Sequence, residues 1–332
     1  MRKRWLLLGL CAALVAFIAV GCPGQEPDVG EDPGGDGEPV NKVEAITAQW
    51  EDSAHAMAVE SAVARDGCLI CHNADAFQAG ATAVADVGGG DQADVPSADC
   101  ETCHQDRGKE IKDSGITQTP YGQISFGSAA LCASCHNGRG KGPDQSSAPH
   151  ASVQLDMLIG IQGAEVEDHV YYSSAHAGIS SSCNFCHMTD TDDDFASHTF
   201  AMSNDVVEEA CGGCHEGLDT LNREAKGDFD GDGDVEGTQD EVEGLMESLE
   251  SAINDELDGG SFETGHGQII FTDSAGTEID PPSEALYNAA WNLLFVRADG
   301  SRGIHNTTYT VQLLQQSLMQ VTGEELPEAD IR

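Results

Sequence analysis

Apolar positions are unevenly placed along this 332-residue chain, and each cluster predicts a different kind of segment. From Trp5 to Val20 they are nearly continuous, behind a basic start of Arg2, Lys3 and Arg4. That run is shorter than the ~20 residues a membrane-spanning helix needs. It reads as a secretory leader over residues 1–21. Residues 23–40 then carry Pro, Gly and acid with almost nothing to bury, which predicts a disordered acidic linker. Helical spacing comes late in the chain. Val242, Leu245, Met246, Leu249 and Ile253 fall on one face of an amphipathic helix. A second helix is predicted from Ser283 to Val296, after Pro281-Pro282. A third is predicted from Thr307 to Met319, with Asn306 placed to cap its start. Aromatics are only 5% of the chain and glycines number 38, so a conventional apolar core is expected to be thin.

The leader ends in Ala19-Val20-Gly21-Cys22, which resembles the lipobox of bacterial lipoproteins. The resemblance implies acylation of Cys22 and a membrane contact by lipid anchor. Ala19 stands where lipoboxes usually carry Leu, and an ordinary cleaved signal or an uncleaved anchor are the alternatives. The formal charge is −43, and losing Arg2, Lys3 and Arg4 with the leader takes it to −46. A chain so acidic is not expected to bind nucleic acid, where Lys and Arg must neutralise phosphates. The acidity suits a soluble, self-repelling surface, and it would attract cations or cationic partners.

Ten cysteines form five CxxC pairs: Cys68/Cys71, Cys100/Cys103, Cys132/Cys135, Cys183/Cys186 and Cys211/Cys214. Histidine follows every pair, as His72, His104, His136, His187 and His215. C-x-x-C-H is the attachment signature of haem c. Two thiols add across the porphyrin vinyl groups, and the adjoining histidine is brought under the iron as the proximal ligand. Zinc ribbons pair CxxC units two at a time and require no histidine after each. Thioredoxin-like pairs occur singly, and a disulfide scaffold would not hold all ten cysteines to one spacing. Five covalent haems are therefore expected, and their porphyrins would supply apolar bulk that the side chains lack.

The first three motifs recur every 32 residues and the last two are 28 apart. Ser53-Ala54-His55-Ala56 ahead of the first is echoed by Ser174-Ala175-His176-Ala177 ahead of the fourth. The expected organisation is a three-haem module over 41–160, a two-haem module over 161–226, and C-terminal helices over 227–332 packing on the haems. The chain resembles, over roughly residues 49–321, the multihaem cytochrome superfamily of pentahaem nitrite reductases, octahaem hydroxylamine and tetrathionate enzymes, and electron-carrying members. The resemblance rests on the CxxCH series and on five short contexts. They are Trp50-x-x-Ser53-Ala54-His55-Ala56, Ala148-Pro149-His150-x-Ser152-x-Gln154, Ser174-Ala175-His176-Ala177, Ser197-His198-Thr199-Phe200 and Gly303-Ile304-His305-Asn306-x-x-Tyr309. It implies His55, His150, His176, His198 and His305 as distal iron ligands, leaving His169 and His266 over.

Asp228, Asp230, Asp232 and Asp234, with Gly233 at the sixth position, match the start of an EF-hand loop. Gln239 stands where the closing bidentate Glu belongs, and Glu241 could close a longer loop around calcium. The alternative is a solvated acidic turn. The expected fold is mostly α with extensive loops, a haem-organised core and little or no sheet. The expected role is electron transfer between redox partner proteins, or to extracellular acceptors, at the periplasmic side or outer surface as an outer-membrane lipoprotein. The alternatives are a reductase of small nitrogen or sulfur oxyanions with one open haem, and a protomer of a homo-oligomer or filament. Pentahaem nitrite reductases carry CxxCK at the catalytic haem, and no CxxC here precedes lysine.

Overall fold

In the computed structural model, the residues described are 41–331 apart from 88–91, 93, 141, 145, 146, 327 and 328. The leader, Cys22 and the acidic linker of 23–40 lie outside the described residues.

Helix α1 (Lys42–Glu51) starts at Asn41, whose side chain accepts from the backbone N–H of Glu44. Short helices follow: α2 (Leu69–His72), α3 (Ala74–Ala79), α4 (Cys100–His104) and α5 (Asp106–Ser114). An antiparallel hairpin of β1 (Ile116–Thr119) and β2 (Gly122–Ser125) precedes α6 (Ala130–Cys135). Three more short helices are α7 (Gln154–Ile159), α8 (Ser182–His187) and α9 (Val207–Cys211). Each CxxCH lies on or beside one of these single turns. Helical geometry is what the motif needs, because residues three and four apart share a face. Both thiols and the histidine are thereby presented to one side.

The C-terminal third is built differently. Helix α10 (Thr238–Glu256) leads to a three-stranded antiparallel sheet of β3 (Ser261–Gly265), β4 (Gln268–Thr272) and β5 (Glu278–Ile279). Then come α11 (Glu284–Asp299) and α12 (Thr307–Thr322). Ser283 caps α11 by accepting from Leu286 N, and Asn306 caps α12 by accepting from Tyr309 N, as the sequence predicts. The five apolar positions of α10 are all buried, Val242, Leu245, Leu249 and Ile253 completely.

The expectation of a thin core holds only for the haem-motif region. There the structure shows a small cluster of Leu69, Ala76, Ala81 and Val87. Helices α10 to α12 instead enclose an ordinary core in which Tyr287, Trp291, Phe295 and Tyr309 are buried with leucines from all three. Among the described residues, every buried aromatic except Phe77 lies here. Asn292, also buried, accepts from Ala164 N at 2.7 Å and donates to Ala164 O at 3.0 Å, fastening the segment after α7 onto α11. Tyr309 points into this core, where its hydroxyl accepts from Gly163 N and meets Glu165. No helix among the described residues is long and apolar enough to cross a membrane.

Candidate metal centres

The five motif histidines each face one other histidine, and the five partners are the five contextual ones. In motif order, sites I to V pair His72 with His150, His104 with His198, His136 with His55, His187 with His305, and His215 with His176. The ring centroids stand 6.2, 6.3, 6.0, 6.1 and 6.2 Å apart in that order. Two imidazoles bound to opposite faces of one iron, with metal–nitrogen bonds of about 2 Å, place their centroids about 6 Å apart. The interplanar angles run from 27° at site II to 90° at site V, so the spacing is uniform where the ring orientation is not. A fixed metal between the rings would impose such a spacing.

Hydrogen bonding leaves the other ring nitrogen free for metal. His176 Nδ1 lies 2.6 Å from Ile304 O, His187 Nδ1 2.9 Å from Phe200 O, and His198 Nδ1 2.7 Å from Ala196 O. His150 Nδ1 lies 2.7 Å from Ser152 Oγ, and that hydroxyl donates onward to Asn137 O at 3.0 Å. His136 Nδ1 is 3.2 Å from Gln154 Oε1. With Nδ1–H donating, the lone pair sits on Nε2, the usual arrangement of a ligating histidine. Burial also favours the neutral, ligating form. It pushes His55 down to about 4, with His136 adding to the effect, and lowers His72, His104, His136, His187 and His215.

The contextual residues around the distal histidines have local tasks. Ser53 caps a 3-10 turn at His55, and the indole of Trp50 donates to Ala98 O just ahead of the second motif. Phe200 has a positive φ of 56°, costly for a bulky side chain. Its ring meets those of His55 and His198, and its carbonyl accepts from His187. One strained residue thus touches sites II, III and IV. The buried Nε and Nη2 of Arg139 have no partner among the described residues, and their charge reaches Cys71 and His72. A porphyrin propionate at site I would satisfy such a guanidinium.

The motifs adjoin one another. The thiol of Cys71 neighbours that of Cys135, and the thiol of Cys132 neighbours that of Cys183. Cys186 lies in the field of Cys211 and Cys214, and Cys103 in that of Cys132. Motifs I, III, IV and V therefore lie near one another in that order, with motif II beside III. His104 with His198, and His187 with His305, each link two of the stretches that the motif spacing divides at residues 160 and 226. The two remaining histidines sit elsewhere: His169 edge-on to Tyr171, and His266 exposed between β3 and β4.

A model of the cytochrome c552 family matches residues 149–327, more than half of the chain. The chain belongs to the cytochrome c552 family. It is a multihaem c-type cytochrome, a class whose haem c is covalently attached. In structure this cytochrome is similar to the outer cell wall cytochrome OcwA, with a TM-score of 0.51 and 21% identity over 82% of the present chain and 49% of that one. It spans about half the length of that protein, and at this identity the likeness concerns the fold alone. No curated protein matches the chain in sequence.

In the acidic loop the structure brings Asp228, Asp230 and Glu241 together, with one carboxylate oxygen from each within 4.8 Å of the others. Asp232 and Asp234 are exposed and outside this group. Glu241, in the first turn of α10 and fully buried, accepts from the backbone N–H groups of Phe229 and Glu236 at 2.7 and 2.8 Å. Asp228 accepts from Gly231 and Gly233 at 2.6 and 2.9 Å. Burial and then the surrounding carboxylates push Asp230 up to about 6. The EF-hand spacing pointed to this loop, but the closure by Glu241 depends on how α10 begins.

Proposed function

We propose that this cytochrome is a pentahaem electron carrier in which His150, His198, His55, His305 and His176 complete the iron coordination at sites I to V. The observation that carries the reading is the one-to-one pairing of ring centroids at 6.0–6.3 Å. An iron ligated on both faces exchanges electrons and offers no position to substrate. Covalent haem supplies a one-electron iron couple at each site, and the chain's residues hold it. Paired cysteines fix the porphyrin edge, Nδ1 hydrogen bonds orient the imidazoles, and Arg139 offers charge to a propionate. Among the described residues, His169 meets Tyr171 and Gln312 and His266 is exposed, and neither makes a ring contact with a motif histidine.

The adjacency of the motifs supports transfer between neighbouring haems, with site III as the junction. Strong net negative charge opposes reduction of each iron and pushes potentials down. The leader pattern, and the name of the similar cell-wall protein, support an exported location facing redox partner proteins or extracellular acceptors.

The test is the matured protein itself. Its intact mass should exceed the processed chain by five haem units. All haems should be low-spin when oxidised, and carbon monoxide should leave the reduced Soret band unmoved. A carbon monoxide complex in the wild type, with steady consumption of nitrite or hydroxylamine, would replace the carrier reading with a reductase.

The same reading extends to calcium at Asp228, Asp230 and Glu241, where a hard cation would relieve carboxylate crowding. A chelator should lower the melting temperature of the wild type by a few degrees and leave Asp230→Ala unaffected. Equal melting with and without chelator assigns the loop to a solvated turn.

A further inference from the structure

The five pairs differ most in what stands behind the imidazoles. At sites I, III and V, and at His187 and His198, the observed Nδ1 partners are neutral oxygens of carbonyls, Ser152 or Gln154. At His305 the partner is a carboxylate. Asp299 Oδ1 lies 2.6 Å from His305 Nδ1, and the Asp299 side chain is only 1% exposed. The second carboxylate oxygen accepts from the hydroxyl and N–H of Ser301 at 2.5 and 3.3 Å. Ser301 Oγ in turn accepts from His305 N at 3.1 Å. Among the described residues, Asp299 makes no ion pair with Lys or Arg. Its charge is therefore buried, hydrogen bonded and aimed at one imidazole.

Site II carries the opposite sign, with Lys112 Nζ 3.4 Å from His104 Nδ1.

We infer that Asp299 is a positioning and tuning residue that makes the haem of site IV the lowest-potential haem of the chain. The inference rests on His187 and His305 being the ligands of that iron, as proposed above. A carboxylate accepting Nδ1–H gives the imidazole imidazolate character and strengthens its donation to iron. Reduction removes one positive charge from the iron, so both the stronger donor and the nearby anion favour the ferric state. The field also reaches the opposite axial ligand, since Asp299 acts on His187 as well. Burial leaves that field largely unscreened by salt. Site IV stands between III and V. A low-potential haem there forms an uphill step in the middle of the chain, and electrons entering at one end must cross it to leave at the other.

The test is a redox titration of the holoprotein, followed by visible absorption and by electron paramagnetic resonance of the low-spin ferric centres. Asp299→Asn keeps an oxygen acceptor for Nδ1–H and removes the charge. One centre, the lowest in the wild type, should become easier to reduce by about tenfold or more, which is about 59 mV for a one-electron couple. The others should hold within experimental scatter, with unchanged haem mass. Asp299→Glu, which keeps the charge, should stay close to wild type and guards against a fold effect of the first variant. His305→Met identifies the centre, because a sulfur ligand raises the potential of the haem it serves. If His305→Met moves one centre and Asp299→Asn moves none, the tuning inference falls while the ligand assignment stands. If His305→Met moves none, the ligand assignment falls and the inference with it. A shift produced by Asp299→Asn at a centre other than the one His305→Met moves also overturns it.

Discussion

Replacing His150 with alanine should turn a protein indifferent to carbon monoxide into one that binds it at a single haem. His150 comes from the loop ahead of α7 and is held by Ser152, outside the aromatic core, so its removal should leave the other sites intact. The iron of site I would keep His72 and lose its sixth ligand. In the oxidised variant one haem should turn high-spin. In the reduced variant carbon monoxide should shift a fraction of the Soret absorbance corresponding to that haem. Retention of an entirely low-spin spectrum with no carbon monoxide complex would remove His150 from the coordination of site I. The experiment also asks whether an open haem alone suffices for reductase chemistry, since the variant offers nitrite a position that the wild type closes.

The second large effect concerns the chain without haem. Helices α10, α11 and α12 bury their own aromatic and aliphatic side chains against one another, whereas the motif-bearing helices are single turns with few apolar contacts. Short isolated helices are marginal in water because their nucleation costs more than a few hydrogen bonds return. A chain with all ten motif cysteines changed to alanine should therefore lose order over most of residues 41–226 and keep helix in the C-terminal third. Hydrogen exchange should show protected amides confined to α10–α12 and to the segment around Ala164. Protection spread evenly over the motif region, or none in either part, would contradict this division.

Much of the chemistry was legible in the sequence because it is local. A haem attachment motif is five consecutive residues, and its meaning does not depend on the rest of the fold. The caps at Ser283 and Asn306, and the buried face from Val242 to Ile253, follow from side-chain chemistry and helical period. The histidines that face the motifs could be picked out by short contexts, and in the structure those contexts shape turns, as Ser53 does at His55. Which histidine faces which motif was not legible. His55 stands before the first motif yet faces His136 of the third, because sequence order does not encode the closure of long loops. The core was misjudged for a related reason. Composition counts aromatics over the whole chain, while Tyr287, Trp291, Phe295 and Tyr309 meet in one place. Phe200 gave no sign of its positive φ, which only the junction of three sites explains.

With the coordination and export proposed above, the pairing also sets an order of biogenesis. An exported chain emerges from its N-terminus, and each CxxCH can receive haem as soon as its five residues are accessible. The second axial ligand arrives later, at an interval set by sequence separation, and distant closures are slow. Site V closes within a short loop, from His176 to His215. Site IV must wait for His305, which follows α11 and enters position only when Asn306 caps α12 and α10–α12 have condensed. Its iron would therefore spend the longest time five-coordinate during maturation, exposed to oxygen and to stray small ligands. On that coordination the C-terminal helices would act as a latch, fastened last, that converts a chain of reactive haems into an inert conductor.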